Sequence, residues 1–240
     1  MDIHNKKSCM EFFSLLQITD SFFPIGGFTL SNGLETYVQK GIVRDVQSAG
    51  HYLRNVLLYS VLYNDLLSLK LAWEYADEYC PESIVRLDML LTASKAPAEI
   101  RAGSKKLCAR FCKMADRFIK NSSLSFDKVE RYEKLIKDGV CSGHYSIIFG
   151  LFAEQSGIPK EDALAAYLYN CSSSIVNNCT KLIPLSQLDA QELLYNTRGL
   201  LAEVLGKAGT LGIEDLGMCC TGFDIRSMQH ERLYTRLYIT

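Results

Sequence analysis

Apolar residues along this chain recur at helical spacing. Tyr52, Val56, Tyr59, Tyr63 and Leu66 are separated by alternating steps of four and three, which places them on one face of a helix. Leu107, Phe111, Met114 and Phe118 repeat the pattern, as do Leu164, Leu168, Cys171 and Ile175. Leu194, Leu201 and Leu205 mark a further stripe. The run "HYSIIFGLFAEQ" is apolar nearly all round, which marks a helix over 143–155 at the centre of the core.

Start and stop signals agree with these stripes. Pro159 suits a first helical position, with Glu161 and Asp162 complementing the N-terminal dipole. Ser186 with Asp189 resembles a capping box at the head of a helix over 187–205, and Gly157 is a stop for 143–155. Asn32 and Glu35 form a similar pair ahead of another helix. Alternation of the strand kind is confined to the tail "LYTRLYIT", which reads as an extended arm or a helix end. The expectation is an all-α fold, one domain over 1–240 with nine or ten helices. Residues 1–9 and 217–240 are expected to be flexible ends, the latter a partner-binding arm.

With 48% hydrophobic and 22% charged residues, 240 residues suffice for a sizeable core. The net charge of −1 argues against bulk attraction to nucleic acid or to an anionic membrane. The N-terminus lacks the apolar segment of a secretory signal, and "VLLYSVLY" is too short to span a bilayer. Nine cysteines without a CxxC pair fit reduced thiols, so a cytoplasmic location is expected.

Candidate chemistry is sparse. In "SFFPIGGFTLSNGLETYVQKG" the Gly-Gly pair is followed by Phe28, Thr29 and Leu30, so no lysine supports a phosphate cradle. Pro24, Gly26 and Gly27 read instead as a tight turn, which Phe22, Phe23 and Phe28 pin against the body or against another chain. His4, His51, His144 and His230 are scattered, and Tyr234 stands where the second His of an HExxH motif would be. Cys108 and Cys112 read as buried thiols or metal ligands, and Cys219 and Cys220 as a possible soft-metal pair with His4 or His230. No GxSxG elbow occurs, and no catalytic constellation emerges. Lys106, Arg110, Lys113, Arg117 and Lys120 line one helix face, within a stretch (101–138) that holds eleven Lys/Arg against five Asp/Glu. Such a stripe is either a solvated face or a dock for an acidic partner.

Five ordered blocks resemble the urease accessory protein UreF family. They are "LLQITDSFFPIGGFTLSNGLETYVQ", "APAEIRAGSKKLCARF", "GHYSIIFGLFAEQSGI", "CTKLIPLSQLDAQ" and "DIRSMQHERLYTRLYIT", running from about residue 12 to the C-terminus. The resemblance implies an all-helical homodimer without catalytic residues or a cofactor of its own. It implies binding to the accessory protein UreD (UreH in some lineages), recruitment of the GTPase UreG, and nickel loading of apo-urease. Departures from the family pattern are Leu30 where many relatives carry His, and Lys181 and Ser186 where "RLIPLG" has Arg and Gly. Thr240 replaces the more common terminal Ser.

On that resemblance the Pro24-Gly26-Gly27 turn shapes a docking surface, with Phe28 as an exposed aromatic anchor and Glu35 beside it. The tail brings together His230, Glu231, Tyr234, Arg236 and Tyr238, a set suited to ordering on a partner. Arg236 is the residue expected to hold the arm, by hydrogen-bonding carbonyls or a carboxylate. Tyr169 faces either the core or the dimer partner. The competing readings are a cysteine-dependent redox or metal-binding protein, using Cys108/Cys112 or Cys219/Cys220, and a nickel carrier relying on His230 or Cys219.

Overall fold

A computed structural model describes residues 3–27, 30–78, 80–120, 124–218 and 220–238, with side chains from Cys9 onward. The described residues are helical with no strand, as the spacing of apolar residues requires. The helices are α1 (Ile3–Thr19), α2 (Leu34–Gln39), α3 (Val46–Val56), α4 (Leu67–Asp77), α5 (Pro81–Ser94) and α6 (Ala98–Ile119). They continue as α7 (Asp127–Lys137), α8 (Tyr145–Gln155), α9 (Lys160–Leu182), α10 (Gln187–Asn196), α11 (Arg198–Thr210) and α12 (Thr221–His230). The numbering passes ten partly because the helix expected over 187–205 breaks at Thr197, between α10 and α11. α1 begins at Ile3, inside the stretch expected to be a loose end.

The core is built around α8, whose residues Tyr145 to Ala153 are all buried. α4 lies closest to it. A Cβ on Gly150 would sit 2.6 Å from the carbonyl oxygen of Leu69, so only glycine permits this crossing. The hydroxyls of Ser68 and Ser146 meet at 2.6 Å across the same interface. Phe111 of α6 stands at the centre of an aromatic cluster with Tyr145, Phe149 and Phe152, and Tyr167 of α9 packs on Tyr145 and Phe149. α8 stops at Gly157, whose φ of 73° lets the amide of Ile158 return to the carbonyl of Ala153 at 2.9 Å. Pro159 is the N-cap of α9 and not its first helical residue.

Between α3 and α4 the chain runs as a π-helix, Leu57–Leu66. The wider turn rotates the register, so Tyr59 of the expected apolar stripe is about half exposed. Carbonyls of this stretch also accept from donors outside the backbone ladder. The carbonyl of Tyr63 accepts from the amide of Gly217 at 3.0 Å, and that of Ser60 from the Asn64 side chain at 3.1 Å.

A buried polar network ties α5, α6 and α7 to the head of α8. Asp88 accepts from the Tyr132 hydroxyl (2.6 Å) and from the amides of Ser142 (2.7 Å) and Gly143 (3.0 Å). His144 lies between Thr92 Oγ1 (2.8 Å) and Ser104 Oγ (3.1 Å) and touches no carboxylate. Burial, with Lys95, Lys105 and Arg101 nearby, pushes its pKa down to about 3, so the ring is neutral. The Ser104–His144 pair is therefore a structural brace, without the acidic third member that a nucleophilic triad uses.

Candidate functional site

The C-terminal arm is seated on α2 and α6. α12 presents Phe223, Ser227 and His230 on one buried face, at steps of four and three. Its approach to α2 depends on Gly33, which has a φ of 84° and caps that helix. A Cβ there would lie 2.6 Å from Ser227 Oγ and 2.9 Å from Ser227 Cα. Ser227 also donates to the carbonyl of Asn32 at 3.3 Å. Asn32 has a φ of 50° and makes no cap, so the expected Asn32–Glu35 capping pair is not formed.

Glu35 points instead at the tail. His230 has no exposed surface, and its ring is held between two carboxylates, Nε2 at 2.7 Å from Glu35 Oε2 and Nδ1 at 2.6 Å from Glu99 Oε2. Glu35 Oε1 accepts from the amide of Leu237 (2.7 Å), and Oε2 from that of Tyr238 (3.3 Å). Arg236 donates from Nη1 to Glu99 Oε1 at 2.9 Å. The group thus holds two acids and two bases. An ionised carboxylate only accepts, so the pairing is complete when both ring nitrogens of His230 donate, one to each acid. Two negative and two positive charges then cancel in a site with little water.

The rest of the arm divides into an inner and an outer side. Tyr238 is buried, with Lys181 of α9 6.0 Å from its ring centre, and burial beside Glu35 pushes its phenol up to about 12. The carbonyl of Thr235 is held by Gln39 at 3.1 Å. Facing outward are Tyr234, whose side chain is fully exposed, and Leu237, Ile225 and Met228, with Glu231 exposed beside them. Of the tail residues singled out in the sequence, His230 and Tyr238 are internal, Arg236 is half exposed on its acid, and Glu231 and Tyr234 face solvent. The tail is neither a strand nor a continuation of α12: it leaves the helix in turns.

The Pro24-Gly26-Gly27 turn sits on α6. Phe23 is buried against Phe111 and Phe118, and Arg110 donates from Nη1 to the carbonyl of Ile25 at 2.9 Å. Gly26 has a φ of 71°, and the Arg110 guanidinium fills the space a side chain would need. One member of the basic stripe thus clasps the turn, and the stripe is not purely a solvated face. The exposed aromatic here is Phe22, 93% accessible; Phe28 lies outside the described residues. Tyr169 on α9 is 52% exposed, which removes the core alternative. Its neighbour Asn170 donates to the carbonyl of Thr19 at 2.6 Å, tying α9 to the end of α1, where Phe12, Phe13 and Leu16 are also exposed.

Among the described residues no three His, Cys, Asp or Glu side chains are placed to hold a metal, and no cysteine forms a disulfide. The Cys108 thiol is raised well above its usual range, first by its hydrogen bond with Cys112 and then by burial, the opposite of an activated thiolate. Cys219 lies outside the described residues. A cavity of about 150 Å³ beneath the Gly-Gly turn is lined by the Lys95–Asp65 ion pair (2.8 Å), Tyr145, Tyr167 and Asn178. Among the described residues no helix is long and apolar enough to cross a membrane. Sequence reasoning missed Glu99 and misassigned Glu35; the only signal was the presence of two acids in blocks remote from the tail.

A family model described as UreF matches residues 43–198. The urease accessory protein UreF of Actinobacillus pleuropneumoniae serotype 5b (strain L20) is 37% identical over 227 residues, covering 95% of this chain and 98% of that protein. The protein of the same name from Haemophilus influenzae (strain PittGG) is 37% identical over 234 residues, covering 98% and 97%. That from Bacillus sp. (strain TB-90) is 33% identical over 227 residues, covering 95% and 98%.

Proposed function

Since the chain belongs to the UreF family of urease accessory proteins, we propose that it is a non-enzymatic maturation chaperone acting in the cytoplasm. In this reading it forms a homodimer, binds UreD (or UreH), and brings the GTPase UreG to apo-urease for nickel insertion. The observation that carries the reading is the arm. A segment whose inner side is fixed by four charged side chains displays Tyr234, Leu237, Ile225 and Met228 outward. A pre-seated segment loses less conformational entropy on binding than a loose tail, and exposed tyrosine is a common hot-spot residue. The arm is assigned to UreD/UreH.

The homodimer is assigned to a different surface, the exposed aromatic residues Phe12, Phe13, Phe22 and Tyr169 on and around α1 and α9. Scattered apolar residues are ordinary on a surface, whereas several large ones in one region mark a contact face. Phe22 precedes the turn that Arg110 clasps. The UreG surface has no assignment.

Co-purification with UreD/UreH from the same source tests the reading, comparing the full chain with one ending at Met218. Retention by the full chain alone is expected. Equal retention by both contradicts the role of the arm, and retention by neither contradicts the partner. Sedimentation of a Phe22→Ser/Tyr169→Ser double variant tests the other surface, with a shift from dimer to monomer expected.

A further inference from the structure

We propose that His230, Glu35, Glu99 and Arg236 form a proton-controlled latch, which fixes the arm while the His230 ring carries two protons and releases it when the ring carries one. The latch belongs to the free chain; only its consequence for a partner rests on the function proposed above.

The geometry suits a ring that donates from both nitrogens. Nδ1 and Nε2 each face a carboxylate oxygen, at 2.6 Å and 2.7 Å, and a carboxylate has no proton to offer. When the ring gives up a proton, one nitrogen lone pair is set against an anionic oxygen at contact distance. The group also changes from neutral to a net charge of −1 in a buried place, where charge imbalance is most costly. The same two carboxylates hold the arm, Glu35 through the amides of Leu237 and Tyr238 and Glu99 through Arg236. A carboxylate that swings away from the neutral ring therefore carries its share of the arm with it. Histidine is the side chain whose charge changes most readily near neutral pH, and buried histidine clusters are a common basis for such switches.

The groups facing the ring are few. Glu35 comes from α2, Glu99 from α6, and Arg236 from the tail. Ser31 Oγ lies 3.4 Å from Nε2, and beyond Glu35 stand Tyr238 and, over its ring, Lys181 of α9. None of these offers the neutral ring a strong donor in place of the lost proton. Ser31 is at the limit of hydrogen-bond distance and reaches only the nitrogen that faces Glu35.

Amide exchange of the 233–238 peptide in the free chain tests the latch, with each rate divided by that of the unfolded peptide at the same pH. For the native chain, protection is expected to fall at least tenfold as the pH is raised to 9, while α8 keeps its protection. His230→Gln removes the titrating ring and is expected to give low, pH-independent protection of the arm. Glu99→Gln separates a latch from a mere structural contact. Its amide N–H can donate to a singly protonated ring, and the group is then neutral with the ring uncharged. Protection of the arm in Glu99→Gln should therefore persist at pH 9. Native protection that does not change with pH, or a Glu99→Gln chain that loses protection as the native one does, overturns the proposal. Because the test uses no partner, it is independent of failure to bind UreD/UreH.

Discussion

His144 and His230 are equally buried, yet their hydrogen-bond partners differ in kind. His144 lies between two hydroxyls, which rotate to donate or accept, and so satisfy a neutral ring. His230 lies between two carboxylates, which accept only. Burial alone decides neither case; the neighbours' hydrogen-bonding capacity does. The first histidine braces the head of the central helix, and nothing about it needs to change over the neutral range. The second holds a segment that packs against the body on one side and faces solvent on the other, through contacts to two carboxylates that themselves hold the tail.

The comparison is broken most severely at Asp88. Asp88→Ala leaves the Tyr132 hydroxyl and the amides of Ser142 and Gly143 without their acceptor. A loss of about 3–5 kcal/mol is expected in urea unfolding. His230→Gln, by contrast, should change the same midpoint by less than about 1 kcal/mol, because the arm opens locally. Similar losses for the two variants would show that they belong to one cooperative unit.

Acid separates the two histidines next. His144 titrates near pH 3 in the folded chain and, by burial, well below its unfolded value of about 6.5. The unfolded state therefore binds more protons in that interval. The contribution is full above about pH 6.5 and is lost as pH falls toward 3, by up to about 1.4 kcal/mol per pH unit. His144→Gln should flatten that part of the stability profile, whereas the arm of the native chain loosens on the alkaline side.

A smaller effect is expected at Gly33. Gly33→Ala meets both a positive φ and the backbone of Ser227, so α12 must move from α2 at a cost of about 1–2 kcal/mol. Faster exchange in 221–238, with α8 unchanged, is the readout. The smallest belongs to Arg236→Ala. Its half-exposed ion pair with Glu99 is worth about 0.5–1 kcal/mol, seen as a few-fold increase in trypsin cleavage at Arg232.

Much of the helical framework was legible because its signals are local. The stripes of α6 and α9, the glycine stop at Gly157 and the Ser186 cap each depend on residues within a few positions. The π-helix was not: no local signal marks it, and one of its carbonyls, that of Tyr63, meets a donor far along the chain at Gly217. The same limit governs the site. His230, Arg236 and Tyr238 stand out as residue types in a short tail. Their counterparts Glu35 and Glu99 lie 195 and 131 positions from His230, and no spacing rule joins them. Glu35 also carried a misleading local signal. The Asn32–Glu35 spacing mimics a cap, but Gly33 takes that position and leaves the carboxylate to the tail. Tyr169 sits beside buried neighbours in sequence, yet it faces out from α9.

The central claim is that a fixed arm is the surface UreD/UreH reads. Titrating UreD/UreH into the native chain and into Glu35→Ala, at one pH near neutrality, tests it most directly. Glu35→Ala removes the acceptor of the Leu237 and Tyr238 amides together with one of the two carboxylates on His230. The expected result is affinity at least tenfold weaker, with an unchanged urea midpoint and faster exchange in 233–238. Equal affinity from a chain whose arm exchanges freely would contradict the claim.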